Sequence, residues 1–134
     1  MANLADVEAI IAALPEVTEG ARFGHRTWFV KNKAFAWERP YSKADLKRFG
    51  DETPPDGDIL AVNVEDLEEK EAVLAAGRRG IFTIEHFANY PAVLVQLRVV
   101  GTRVLRDAIV DAWLAAAPAA LADEFVANGG LKRR

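Results

Sequence analysis

The sequence predicts an α+β fold in which a mainly antiparallel sheet packs against helices, and three observations lead there. Apolar residues recur at helical spacing in segments near both ends of the chain. Short β-branched and aromatic runs bounded by turn residues fill the middle. A length of 134 residues with 51% apolar and 28% charged side chains suits one globular domain.

Leu4, Val7, Ile10, Ile11 and Leu14 follow Asn3, a good N-cap, and Pro15 stops the helix they form. Residues 17–23 read as a short strand. Residues 26–31 and 34–39 read as a hairpin turning at Asn32-Lys33, in which Trp28 and Val30 share a face and Phe35 and Trp37 share one as well. The ordinary role for these aromatics is core facing the helices.

Ser42 and Asp45 have capping-box spacing and Gly50 suits a left-handed stop, so a short helix spans Lys43–Phe49. Pro54, Pro55 and Gly57 mark a loop, and residues 59–64 are the next strand. Glu65 and Asp66 open an acidic helix over 65–76, closed by Gly77. Residues 81–84 and 92–100 read as further strands. Leu105, Ala108, Ile109, Ala112, Trp113 and Ala116 make one face of the last large helix, which Pro118 interrupts. A short helix over 118–127 completes a single domain of residues 1–127, and 128–134 form a flexible basic tail containing Lys132, Arg133 and Arg134.

The chain has no cysteine, no membrane-length apolar run and no secretory-type start, so a cytoplasmic location and no membrane partner are expected. Two histidines, His25 and His86, are too few for a zinc site of recognisable spacing, so neither metal nor cofactor is expected. Ser42, the one serine, is a helix cap, and nothing around it resembles a nucleophile elbow. Glu85 and His86 are adjacent on an expected strand and so point to opposite faces; His86 is expected to hydrogen-bond the turn over 89–91. No catalytic residues are assigned, and the chain is expected not to be an enzyme.

Net charge is −3, which argues against general attraction to polyanions. Its distribution is uneven. Eight Lys or Arg between Arg22 and Arg48 face only Glu38 and Asp45, whereas nine acids between Asp51 and Glu71 face only Lys70. Two solvated faces are the ordinary reading, and a basic surface is the functional one.

Four segments taken in order, 14–19 (Leu-Pro-Glu-Val-Thr-Glu), the hairpin 29–36, His86-Phe87-Ala88-Asn89-Tyr90-Pro91 with the strand after it, and 112–118 around Trp113, resemble the MmcQ/YjbR-like family over nearly the whole chain. The resemblance implies a CyaY-like two-layer sandwich, with helices on one side of an antiparallel sheet, and DNA as a partner bound through a double-wing surface. If that surface exists here, phosphate contacts are expected from Arg26, Lys31 and Lys33 at the hairpin, and from Lys43, Lys47 and Arg48 on the short helix. Arg78 and Arg79 in the Gly77–Gly80 turn would add to them. Binding would be weak and tolerant of sequence, since no base-reading trio occurs. A second class is a small-ligand or protein-partner module using an aromatic cleft of Trp28, Trp37, His86, Phe87 and Tyr90 between sheet and helix. A third, suggested by the link to frataxin, is metal handling on Glu65, Asp66, Glu68, Glu69 and Glu71.

Overall fold

A computed structural model describes residues 1–129. In chain order the elements are α1 (Leu4–Ala12), β1 (Val17–Arg22), β2 (His25–Val30), β3 (Lys33–Glu38), α2 (Lys43–Phe49), β4 (Ile59–Asn63) and α3 (Leu67–Ala75). There follow β5 (Ile81–Phe82), a 3-10 turn (Glu85–Phe87), β6 (Ala92–Gln96), α4 (Thr102–Ala116) and α5 (Ala119–Ala127). Of the expected tail over 128–134, Asn128 and Gly129 end α5, and residues 130–134 lie outside the described residues.

One open sheet runs β1-β2-β3-β4-β6-β5, antiparallel throughout, which establishes the α+β class. Helices α1 and α4 cover one face. Trp113 of α4 is fully buried there among Val7, Phe35, Leu60, Val93 and Ile109, and its indole N–H donates to the Pro15 carbonyl at 3.1 Å. That bond joins the α1–β1 corner to the last long helix.

A second, smaller apolar cluster occupies the other face: Trp37, Ile59, Ala61, Ala92 and Leu94 from the strands, with Ile84 and Phe87 over them and Phe49 of α2 beside them. The middle of the sheet is therefore buried on both sides. This is why β4 and β6 carry nearly continuous apolar runs instead of alternating ones. At one edge of the sheet, β1 is exposed along most of its length.

The structure corrects several expectations. The β2–β3 turn is Lys31-Asn32, one residue earlier than expected, with φ of 48° and 70°. These are the two left-handed positions of the tight hairpin turn that matches strand twist. Phe35 and Trp37 do not share a face. The register between β2 and β3 slips beside Trp28 and Phe29, leaving Phe35 as the extra residue. Phe35 and Ala36 consequently both enter the helix-side core, and Trp37 is sent to the opposite cluster. The strand expected over 92–100 ends at Gln96, because the Val99 and Val100 N–H groups turn back to the Gln96 carbonyl. The strand expected over 81–84 is only Ile81–Phe82, and Glu85 and His86 lie on the 3-10 turn, not on a strand. The acidic helix begins at Leu67, capped by the Asp66 side chain at the Glu69 N–H, 2.8 Å.

Candidate functional site

The β1–β2 hairpin closes with the pair Arg22 and His25 around a two-residue turn, Phe23-Gly24. Both turn residues have positive φ, 53° and 78°. Glycine adopts this backbone freely, but a phenylalanine there is strained and normally gives way to Asn or Gly. Phe23 is also 92% exposed. It stands at the mouth of a cavity of about 490 Å³ on the second face of the sheet.

Four stretches build the cavity: Arg22, Phe23 and His25 from the hairpin; Trp37 and Arg39 from β3 and its end; Pro40, Tyr41 and Ser42 entering α2; and His86, Phe87 and Tyr90 from the 3-10 turn and the loop after it. The rings of Trp37, Phe87 and Tyr90 form one cluster, with centroids 5.6 to 6.4 Å apart and Tyr90 edge-on to Trp37. The Arg22 guanidinium lies 5.3 Å from the Trp37 ring centroid and 5.8 Å from that of Phe23. Arg39 lies 5.4 Å from the Phe87 centroid. Both histidines of the chain are in the wall. No carboxylate is.

The polar frame behind the wall is built by Asp45. Its carboxylate, 1% exposed, accepts from the Ser42 N–H at 2.9 Å and pairs with Arg39 at 2.9 Å and Arg48 at 3.5 Å. Burial pushes this carboxyl up, but the Ser42 hydrogen bonds and the Arg39 charge outweigh it and hold its pKa below the ordinary aspartate value. Tyr41 donates its hydroxyl to the Pro55 carbonyl at 2.7 Å, and burial with the nearby Asp45 and Asp56 charges pushes its phenol up to about 12.

The loop that carries Phe87 and Tyr90 is tied from behind. Lys70 of α3 is buried, and its ammonium donates to the carbonyls of Phe87 and Tyr90, the latter at 2.9 Å. Burial lowers its pKa. His86, expected to brace this loop, instead lines the cavity with its ring 5.9 Å from that of Phe87.

The structure brings together Trp37, His86, Phe87 and Tyr90 and leaves Trp28 out. Trp28 is 3% exposed in the helix-side core, under the Arg26 guanidinium at 4.7 Å from its centroid. The expected cationic surface is divided, and three of its eight members are paired. Arg26 binds Glu8 at 2.6 Å and Glu19 at 3.0 Å, Lys31 pairs with Glu16 at 3.2 Å, and Arg48 with Asp45. Lys33, Lys43 and Lys47 are exposed without an ion pair among the described residues, as are Arg78 and Arg79 in the turn before β5. The hairpin tip and α2 flank opposite ends of β3, about 17 Å apart for a strand of this length. Glu65, Asp66, Glu68, Glu69 and Glu71 are exposed or partly so on and before α3, and among the described residues no group of three potential ligands is placed to hold a metal ion.

Arg22, Phe23, His25, Arg39 and Tyr41 were not assigned to the cleft from sequence. A signal was present: Phe-Gly flanked by Arg and His marks a tight turn carrying an unusual apolar residue. Its closeness to residues 86–90 depends on sheet order.

A family model described as YjbR matches residues 12–115, spanning the sheet, the cavity wall and most of α4. The chain belongs to the YjbR family. Its relatives include "Uncharacterized protein Mb2600" of Mycobacterium bovis and "Uncharacterized protein Rv2570" of Mycobacterium tuberculosis. Each is 44% identical over 133 residues, covering 97% of this chain and all of the relative. No solved structure matches significantly. Within this YjbR-family chain, no helix among the described residues is long and apolar enough to cross a membrane.

Proposed function

We propose that this YjbR-family protein is a non-enzymatic binding protein that takes a small molecule into the cavity between the Phe23 turn and the 3-10 loop. What carries the reading is the make-up of the wall: clustered rings, two guanidinium groups and two imidazoles around about 490 Å³, within the range of roughly 300–1,000 Å³ common for ligand sites. Ser42, the sole hydroxyl of serine type, is engaged as a cap by the Asp45 N–H at 3.1 Å, which suits a structural role.

The test is a fragment screen by amide-resolved NMR. Fragments that shift Phe23, Trp37 and Tyr90 signals in the wild type, and lose affinity in Phe23→Ala and Tyr90→Ala, support the reading. Fragments that perturb only other surfaces defeat it. Both residues are exposed enough, at 92% and 44%, for the variants to fold.

Nucleic-acid binding has less behind it. Three of the expected cations are engaged by carboxylates, and the hairpin and α2 groups expected to act together lie at separate ends of β3. We expect random duplex DNA to bind only at low salt, with Lys33→Glu changing little; tight binding at physiological salt that Lys33→Glu and Lys47→Glu abolish would reinstate that reading.

A further inference from the structure

Arg22 and Phe23 are the two cavity residues whose present state is least satisfied. Arg22 sits at the end of the edge strand β1, its guanidinium against the rings of Trp37 and Phe23, with no carboxylate within 4.0 Å among the described residues. Ring faces attract its charge but supply no lone pairs, so its N–H donors are left for water or a ligand. Arg39 differs, because it is ion-paired with Asp45 at 2.9 Å. The wall therefore carries one uncompensated guanidinium, with His25 its cross-strand partner and His86 also in the wall.

Phe23 holds an apolar ring almost fully in water on a backbone that disfavours side chains. Both costs are offset when the ring covers another flat apolar surface. Trp37 and Tyr90 line the same cavity and offer apolar ring surface to a ligand that Phe23 could cover.

We infer that the occupant is a planar aromatic monoanion, its ring lying beneath Phe23 against Trp37 and Tyr90 and its oxyanion accepting from Arg22. This rests on the cavity being a ligand site, as proposed above. The guanidinium matches the two oxygens of a carboxylate, and the absence of any acid in the wall removes the group that would favour a cation. His25 and His86 add ring nitrogens able to donate to the same anion.

Three probes of similar size separate the parts of the inference by calorimetry: naphthoate, naphthamide and decalin carboxylate. Naphthoate should bind at least about tenfold more tightly than naphthamide, the effect of one charge-assisted bond, and also more tightly than decalin carboxylate, which keeps the charge but lacks the flat ring. In Arg22→Gln the ratio of naphthoate to naphthamide affinity should fall to about one, and a ratio kept at its wild-type value would overturn the anion part. If naphthamide equals naphthoate in the wild type and both weaken in Phe23→Ala, the anion part is overturned and the ligand cavity stands. If decalin carboxylate equals naphthoate, the aromatic part is overturned. Failure of all three probes at millimolar concentration overturns the inference, while fragments of other chemistry in the cavity would still uphold the site.

Discussion

Lys70, the one lysine in the acidic stretch of the chain, donates from its buried ammonium to the carbonyl of Tyr90 at 2.9 Å and also to that of Phe87. The loop bearing two rings of the cavity is thus anchored by a helix that does not line it. Lys70→Met should cost about 2 kcal/mol in chemical denaturation, since two carbonyls lose a donor in a low-dielectric setting. Loss of ordered signals for 87–90, with the sheet intact, is the expected NMR signature.

The same lysine sets an alkaline trend. Burial lowers its folded-state pKa below the unfolded value of 10.5, so over that interval the unfolded chain binds more protons. Lys70's contribution to stability therefore rises with pH until about that value. Lys70→Met should remove that rise. Denaturation curves of both proteins between pH 8 and about 10.5 measure it, and an unchanged slope in the variant would contradict it.

Phe23→Asn tests whether the turn sacrifices stability for binding. Asparagine tolerates a left-handed φ and needs no apolar cover, so the variant should be more stable by about 0.5–1 kcal/mol. Cavity ligands should bind it less well. Higher stability with undiminished affinity would remove Phe23 from the site.

Asp45→Asn should destabilise by about 3 kcal/mol, because a buried carboxylate held by Ser42, Arg39 and Arg48 becomes neutral and leaves Arg39 without its counter-charge. The folded-state pKa is depressed, so this stability is present above the unfolded value near 3.8 and fades as pH falls through the folded one. Acid titration of the wild type should show that loss, and the variant should lack it.

Tyr41 offers a spectroscopic check. With its phenol raised to about 12, ultraviolet titration of the two-tyrosine chain should show one late-ionising tyrosine that disappears in Tyr41→Phe. Since the folded pKa exceeds the unfolded 10.0, its contribution is complete below 10.0 and is lost as pH rises through about 12.

Gly77 and Gly80 both have positive φ, yet they should respond differently to alanine. A Cβ on Gly80 would lie 2.9 Å from the Val100 backbone, whereas one on Gly77 meets nothing within 4 Å. Gly77→Ala should cost about 1 kcal/mol from backbone strain alone. Gly80→Ala should cost at least about 3 kcal/mol. Thermal melts of the pair separate strain from collision, and equal losses would mean that the Val100 turn yields.

Local chemistry determined much of this protein from the sequence alone. Asn3 caps α1 as expected, Ser42 closes the capping box that its spacing with Asp45 predicted, and Lys43–Phe49 forms with the expected bounds. The apolar stripe through Leu105, Ile109, Ala112 and Trp113 faces the sheet because helical periodicity leaves it no other buried face. Trp37, His86, Phe87 and Tyr90 were legible as candidates for a shared cleft. Tertiary structure decided the rest. One extra residue at Phe35 reverses the face of Trp37, and alternation cannot reveal a bulge that a partner strand creates. Sheet order carries the Arg22–His25 turn to the loop around residue 86, joining segments more than sixty residues apart. The basic segment was legible as charge, but only folding brings Glu8 and Glu19 to Arg26, Glu16 to Lys31 and Asp45 to Arg39. A charge surplus counted along the chain measures composition; the field at a surface depends on which charges the fold makes neighbours.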